Sequence, residues 1–541
     1  MKIQNTTNQN RSKQARLASE RTIPRHHVDS LQVTKFLLTL DEFATPKAQL
    51  LYSIGLVLLE KNTNPAVQAF LAEYDFELAN VQGVPRGAFD LLGSAYQYLN
   101  TKSENLDKGS FYTGKNIGND FVEDLDFSEG QVLIDPSCGS GSFLFRSDAA
   151  ADQVFGIDVD PIAIMVAKFN YFIKFPNAAP PALYCADFFT WFIENQHLTF
   201  DYVIGNPPFG AEVDLSVLRS AHIVSGESFS YFIEFGYALL KPDGILRYLV
   251  PDALLNVKRH TDVRSFLLNH ANLKIIKRYQ SKFSGVMSDV YMIEVDRCQD
   301  NAHTTFVGES KVTVPKALFR SLKNSILVQW SEADIAVVEK INEQKKFDLA
   351  RSTFGLGVVT GDNKTKLLSL PGCNLEPIYT GKEVERYTLL PPRNYIRFDR
   401  RSLQQVAPDE LYRAAEKLVY KTISKNLRFA FDDTGSLTTN SANLVIPRLP
   451  GYDVMAVMAL LNSNLYSFLY LKLFGGVNKI GKEHLMALPF PEISFEQNAE
   501  LIQFVKAIAI SGDDEGLQAY IHEHLFRLTP EEIAHINRTI K

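Results

Sequence analysis

The sequence predicts an α/β protein: a largely parallel sheet covered on both faces, preceded by a helical region and followed by an α+β domain. Three observations carry this. Short apolar runs alternate with helix-length segments between residues 132 and 250. Apolar residues recur at helical spacing from about Val33 to Leu99. Beyond about Asp300 the pattern becomes mixed and rich in turn residues.

Residues 1–30 hold Asn, Gln, Thr, Ser, Lys and Arg with few apolar side chains, the composition of a disordered or flexible tail. A helical region is expected over 31–105. Leu50, Leu51, Ile54, Val57 and Leu58 recur at turn spacing there, as do Phe89, Leu92, Tyr96 and Leu99. These stripes read as core, and no chemistry is assigned to them. The sheet domain is expected over 106–300. Its strands read at Val132–Ile134, Val154–Ile157, Ala182–Cys185, Tyr202–Ile204, Gly244–Val250 and Leu273–Tyr279, with a helix over Ile162–Phe175. Val290–Val295 reads as a late strand, with antiparallel pairing open to it. Residues 301–495 form the expected α+β domain, marked by Thr360-Gly361-Asp362-Asn363, Pro371-Gly372 and Leu390-Pro391-Pro392. A helical tail is expected over 496–541.

Composition narrows the class. The hydrophobic fraction of 45% and charged fraction of 22% are those of soluble globular proteins. No apolar run reaches the roughly 18 residues of a spanning helix, so no membrane partner is expected. Met1–His27 has no apolar h-region, so no secretory signal is expected there. Four scattered cysteines with no CxxC pair argue against zinc and for a reducing cytoplasm. Net charge is −6, yet residues 351–450 carry 15 Lys and Arg against 10 Asp and Glu. That local excess suits a phosphate-facing surface, or a solvated mixed-charge face.

Four motifs stand at successive strand ends, where ligands collect in open α/β sheets. The first is Asp135-Pro136-Ser137-Cys138-Gly139-Ser140-Gly141-Ser142-Phe143. Glycines at a strand-to-helix turn admit a ligand close to the backbone. Leu144 breaks the GxGxxG dinucleotide fingerprint, and no Lys-Ser/Thr follows as a phosphate loop requires. The second is Gly156-Ile157-Asp158-Val159-Asp160-Pro161. Asp158 can accept both ribose hydroxyls of an adenosine, and Asp160 before Pro161 suits a helix cap. The third is Asp187-Phe188, an acid for an exocyclic amine and a ring for a purine face. The fourth is Asn206-Pro207-Pro208-Phe209. Two prolines fix the bend and leave the Asn206 side-chain oxygen and the Pro207 carbonyl as acceptors. That pair suits an NH₂ group to be held and made nucleophilic, with Phe209 as a stacking face. Taken singly, each motif also reads as an ordinary turn, cap or packing residue.

In this order the motifs resemble those of N6-adenine-specific DNA methyltransferases of the γ group, of restriction–modification type. Lys108–Thr113 looks like the segment that covers the methionine end of the cofactor there, with Gly114 where many members have proline. Gly355–Asn363, Ile378–Tyr387, Leu460–Asn464 and Leu485–Pro491 look like parts of a TaqI-like C-terminal specificity domain. The resemblance covers roughly residues 85–495. It implies a Rossmann-like S-adenosyl-L-methionine-dependent methyltransferase sheet and a C-terminal target-recognition domain. It implies cofactor contacts at Thr113, Asp135, Gly139, Gly141, Asp158, Asp187 and Phe188. It implies a catalytic site of Asn206, Pro207, Pro208 and Phe209, with Phe283 covering the other face of a flipped adenine. Double-stranded DNA is the implied substrate, and a cognate restriction endonuclease or specificity subunit the implied partner. Arg393, Arg397, Lys421, Lys425 and Arg428 are candidates for phosphate or base contact. No metal or covalent nucleophile is required. An RNA or protein-glutamine methyltransferase, or a non-catalytic DNA-binding defence subunit, are the competing readings. The long C-terminal region and Phe209 speak against the first pair, and the intact Asn206–Phe209 against the last.

Overall fold

The apolar runs of the central region become strands because each is short, flanked by turns and buried on both faces. The computed structural model describes residues 31–100, 115–209, 219–225, 227–279, 289–297, 302–308, 311–321, 324–326, 330–474 and 479–541. The chain divides into two compact units, Met1–Ile326 and Leu327–Lys541.

The first unit is built on a nine-stranded sheet. Its strands are β1 (Leu133–Asp135), β2 (Val154–Asp158), β3 (Ala182–Cys185), β4 (Phe200–Gly205), β5 (Leu240–Pro251), β6 (Asn272–Tyr279), β7 (Val290–Asp296), β8 (His303–Val307) and β9 (Lys311–Pro315). They lie in the order β3-β2-β1-β4-β5-β7-β6-β8-β9. β1 to β5 pair in parallel, and β7 inserts antiparallel between β5 and β6. The strand order reverses between β1 and β4, and the crevice for a ligand lies at such a switch point. All seven expected strands are present, and the late one is antiparallel.

The sheet does not stop near residue 300. β8 pairs in parallel with β6, and β9 closes a hairpin on β8. Their buried positions alternate with exposed ones, so each offers one apolar face to the layer beneath. The Thr304 hydroxyl also donates to the Leu273 carbonyl at 2.8 Å.

The helices of this unit include α1 (Leu31–Thr39), α2 (Lys47–Leu59), α3 (Pro65–Leu71), α4 (Leu91–Leu99), α5 (Lys115–Val122), α6 (Pro161–Lys174), α7 (Phe188–Glu194) and α8 (Ser228–Ala238). α6 starts as its sequence directs: Asp160 accepts from Ile162 N at 2.8 Å, and Pro161 occupies the first helical position. α2 and α3 pack on α6. A Cβ at Gly55 would fall on the Phe169 ring, and Phe70 and Tyr52 meet that ring edge-on at 4.9 and 5.5 Å. One continuous core runs from Val33 in α1 to Met292 in β7. The helical region therefore shares the core of the sheet. Arg247 of β5, 3% exposed, pairs with Glu294 of β7 at 2.8 Å and with Asp124 just after α5 at 2.6 Å.

The second unit holds two small sheets. One has the order β10 (Thr353–Gly355), β16 (Ala442–Ile446), β13 (Lys417–Lys421), β14 (Phe429–Asp432), all antiparallel. The other has the order β12 (Asn394–Ile396), β11 (Glu376–Tyr379), β15 (Leu437–Thr438). A fully buried pair, Lys417–Asp432 at 2.6 Å, joins β13 to β14. Helices α9 (Val454–Leu461) and α10 (Asn464–Phe474) are almost wholly buried. The helices expected as a tail, α11 (Phe495–Ser511) and α12 (Pro530–Ile540), pack against α9 and α10 respectively. Both start in capping boxes, Ser494 with Gln497 and Thr529 with Glu532. No single helix among the described residues is long and apolar enough to cross a membrane.

Candidate active site

The glycine turn after β1 is held from three sides. Gly139 and Gly141 have φ of +54° and +82°, left-handed values that favour glycine. A Cβ at Gly141 would strike the Phe145 ring, whereas one at Gly139 would enter open space. Cys138 N donates to the Ile157 carbonyl at 2.8 Å, and Gly139 N donates to Asp158 Oδ2 at 2.8 Å. The turn thus leans on the end of β2, with its open side at Gly139.

Asp135 closes β1 and is 1% exposed. Its Oδ1 accepts from Ser137 N at 3.0 Å, while Oδ2 is buried without a partner, as is the Ser137 hydroxyl. Burial, with the nearby Asp158 charge, pushes the Asp135 carboxyl up to about 8. A buried acid with one unmet oxygen is matched by a cation or donor brought in by a ligand. Asp158 Oδ1 accepts from Asp160 N at 2.9 Å, so each of its oxygens already braces a backbone amide. A carboxylate oxygen can accept more than one hydrogen bond.

The catalytic candidates stand across the switch point. Asn206 follows the end of β4, and Ile134 and Val203 are partners in the β1–β4 ladder. A Cβ on Gly205 would come within 2.7 Å of Asp135 Oδ1 and 3.4 Å of Ser137 Oγ. The Asn206 bend and the acid of the glycine turn are therefore immediate neighbours. Pro207 is buried, and Asn206, Pro208 and Phe209 are half-buried. The Ser228 hydroxyl, at the first position of α8, donates to the Pro208 carbonyl at 2.5 Å and fixes the bend. Phe209 meets Phe229 edge-on at 6.1 Å, which orients its ring.

Asp187 is exposed and caps α7, its Oδ1 accepting from Thr190 N at 2.9 Å. Phe188 differs from expectation. It is 2% exposed, and Phe232 stacks on it at 4.8 Å and 28°. That ring packs in the core, with one face against Phe232 of α8. The exposed apolar residues at these strand ends are Val159, 66% exposed, and Tyr184, 42% exposed. Thr113 with the Lys108–Gly114 segment, Phe283 and residues 1–30 lie outside the described residues.

Sequence reasoning gave the helical region no part in the site, yet two of its side chains reach the turns. Ser140 Oγ donates to Asp90 Oδ2 at 2.8 Å, and Tyr96 Oη donates to Asp160 Oδ2 at 2.7 Å. An acid two residues before a helical stripe reads as a cap, so nothing in the sequence flagged it. Among the described residues no cluster of three or more His, Cys, Asp or Glu is placed to hold a metal.

In the second unit Arg393 and Arg397 are exposed and Lys421 half-buried. Arg428 is tied to Glu385, and Lys425 to the Lys541 carbonyl. The turns of this unit come close to one another: a Cβ at Gly357 would strike the Thr439 carbonyl, and one at Gly381 the Ser441 carbonyl.

The sheet order, with its reversal between β1 and β4, is that of a Rossmann-like α/β fold. Residues 152–283 match the Eco57I restriction-modification methylase family, and residues 376–490 match the TaqI-like C-terminal specificity domain. Type II methyltransferase M.VspI of Vibrio sp. (strain 343) is 28% identical over 320 residues, 56% of this chain and 76% of that protein. Type II methyltransferase M.CvrRI of Paramecium bursaria Chlorella virus XZ-6E is 26% identical over 203 residues, 36% of this chain and 50% of that protein. The type IIL restriction-modification enzyme MmeI, solved in complex with DNA, is similar at 12% identity and TM-score 0.50, covering 93% of this chain and 88% of that one. At that identity the likeness bears on the fold alone.

Proposed function

We propose that this protein transfers a methyl group from S-adenosylmethionine to adenine N6 in duplex DNA, as the modification component of a restriction–modification or related defence system. One observation carries the reading: the Asn206 bend stands at the end of β4, directly against Asp135 and the glycine turn. The restriction-modification methylase and specificity domains support the substrate class.

The residues fit the cofactor. Asp135 Oδ2, buried and unpartnered, suits the ammonium of its methionine part. The open side of Gly139 admits its backbone, Asp158 suits the ribose hydroxyls, and Asp187 the adenine amine. Thr113 and the segment around it would complete the site. Bound there, the cofactor supplies an electrophilic methyl group on a sulfonium.

The chain's own groups do the rest. The target amine lies inside a base pair, so the adenine is flipped out to reach the bend. Asn206 Oδ1 and the Pro207 carbonyl accept its two N6 hydrogens, which localises the nitrogen lone pair and aims it. The gain is positioning and fixed dipoles, which Ser228 secures by holding Pro208. Phe209 faces the ring on one side and Phe283 on the other. The second unit supplies duplex binding, with Arg393 and Arg397 as exposed cations for phosphate or base contact. Tritiated methyl transfer to duplex DNA, RNA and protein, followed by mapping of the modified base, tests this. Label confined to N6-methyladenine in duplex DNA is expected. Label in RNA or protein alone, or none with saturating cofactor, overturns the reading.

A further inference from the structure

Asp90 makes more bonds than a helix cap needs. Its Oδ1 accepts from Gly93 N at 2.9 Å, the ordinary cap contact, and from Asn170 Nδ2 of α6 at 2.7 Å. Its Oδ2 accepts from the Ser140 hydroxyl at 2.8 Å. Asn170 Nδ2 also donates to the Ser140 carbonyl at 2.9 Å, which closes a triangle around that serine. The backbone of Asp90 is left-handed, φ 47° and ψ 45°, where N-caps ordinarily are extended. A non-glycine residue in that region costs on the order of 1 kcal/mol. A plain cap gives no reason to hold this conformation.

Ser140 is the only residue between Gly139 and Gly141, and both glycines are left-handed. Flanking glycines leave a turn with little intrinsic restraint. The buried Ser140 side chain is then the handle by which the turn is held, and Asp90 grips it. Further along the same helix Tyr96 grips Asp160, two residues after Asp158. α4 thus reaches the turns after both β1 and β2.

We propose that Asp90 is a positioning residue that sets the shape of the glycine turn through Ser140, so that the helical region governs cofactor affinity. This rests on the glycine turn being the S-adenosylmethionine site. Gly93 offers a sharp test, because a Cβ there would run into both the Asp90 carboxylate and the Ser140 hydroxyl. Gly93→Ala favours the helix by propensity while forcing the contact apart.

The test is calorimetric binding of S-adenosylhomocysteine to the full-length protein, with melting temperature and steady-state methylation measured alongside. Asp90→Gly retains the left-handed backbone, and Ser140→Ala removes the partner. Each is expected to weaken binding about tenfold, the worth of one hydrogen bond to a charged group. The loss should appear in KM for the cofactor, with kcat at saturation changed less than about twofold on the same account. Asp90→Asn should recover part of the affinity. The double variant should bind about as weakly as either single one, since one contact is removed once. Gly93→Ala should weaken binding in a protein that still folds. Wild-type affinity in folded Gly93→Ala and Ser140→Ala would overturn the proposal, as would fully additive losses in the double variant. If the wild-type chain binds no S-adenosylhomocysteine, the cofactor reading fails and the proposal falls with it.

Discussion

Replacing Asp135 by Asn should make the first unit more stable, and increasingly so as pH rises. Asp135 is 1% exposed, with Oδ1 on Ser137 N and Oδ2 unpartnered. Burial raises its carboxyl from 3.8 to about 8. The folded protein therefore holds this proton more tightly than the unfolded chain. Stability from the neutral form is fully present below about pH 4 and is lost as pH rises through about 8. One pKa unit corresponds to about 1.4 kcal/mol. At pH 7 the unfolded chain has released the proton and the folded one has not, a span of roughly three units or about 4 kcal/mol. Asn keeps the size and the acceptor for Ser137 N but carries no proton equilibrium. Its advantage over wild type should be near zero at pH 4 and grow by about 1.4 kcal/mol per pH unit up to about pH 8. Urea unfolding in a Trp330→Phe background reads it, because Trp191 then reports the first unit alone. A pH-independent difference, or a wild type that gains stability over this range, would refute a neutral buried Asp135.

Four further outcomes follow from particular contacts. Asn206→Ala should lower methyl transfer by at least about 100-fold, the scale of losing one preorganised polar group, with S-adenosylhomocysteine binding nearly unchanged. Phe169→Ala, which empties the ring on which Tyr52, Phe70 and Gly55 pack, should cost about 3–5 kcal/mol in urea unfolding. Asp432→Ala leaves Lys417 buried and unpaired, a loss of about 3–5 kcal/mol in the second unit; a loss below about 1 kcal/mol would mean that water reaches the lysine. If Arg397 contacts phosphate, Arg397→Ala should reduce the salt slope of duplex binding by about one, whatever the DNA sequence.

The sheet was legible because its central strands are short, continuous apolar runs, the pattern of strands buried on both faces. The placement of Asp135, Asp158 and Asn206 at neighbouring strand ends was legible for a related reason: parallel strands deliver their following loops to one edge of the sheet. The β8–β9 hairpin escaped because alternation over five residues with Thr and Lys outward looks like turn-rich sequence. The packing of Phe188 was not legible because local pattern cannot tell which ring will fill the space beside it; Phe232, 44 residues later, does so. Asp90 was invisible because its importance lies in a carboxylate oxygen directed at a serine 50 residues away, and spacing carries no trace of that.

The shared core of α1 to α6 with the sheet has a consequence for building chimaeras. A fragment beginning near residue 106 would lay bare the faces of α6 that Gly55, Phe70 and Tyr52 cover, and should be recovered only as aggregate. The junction at Ile326–Leu327 leaves the core that runs from α1 to β7 within one unit. Grafting a foreign second unit belongs at that junction, with the helices before the sheet kept with the sheet.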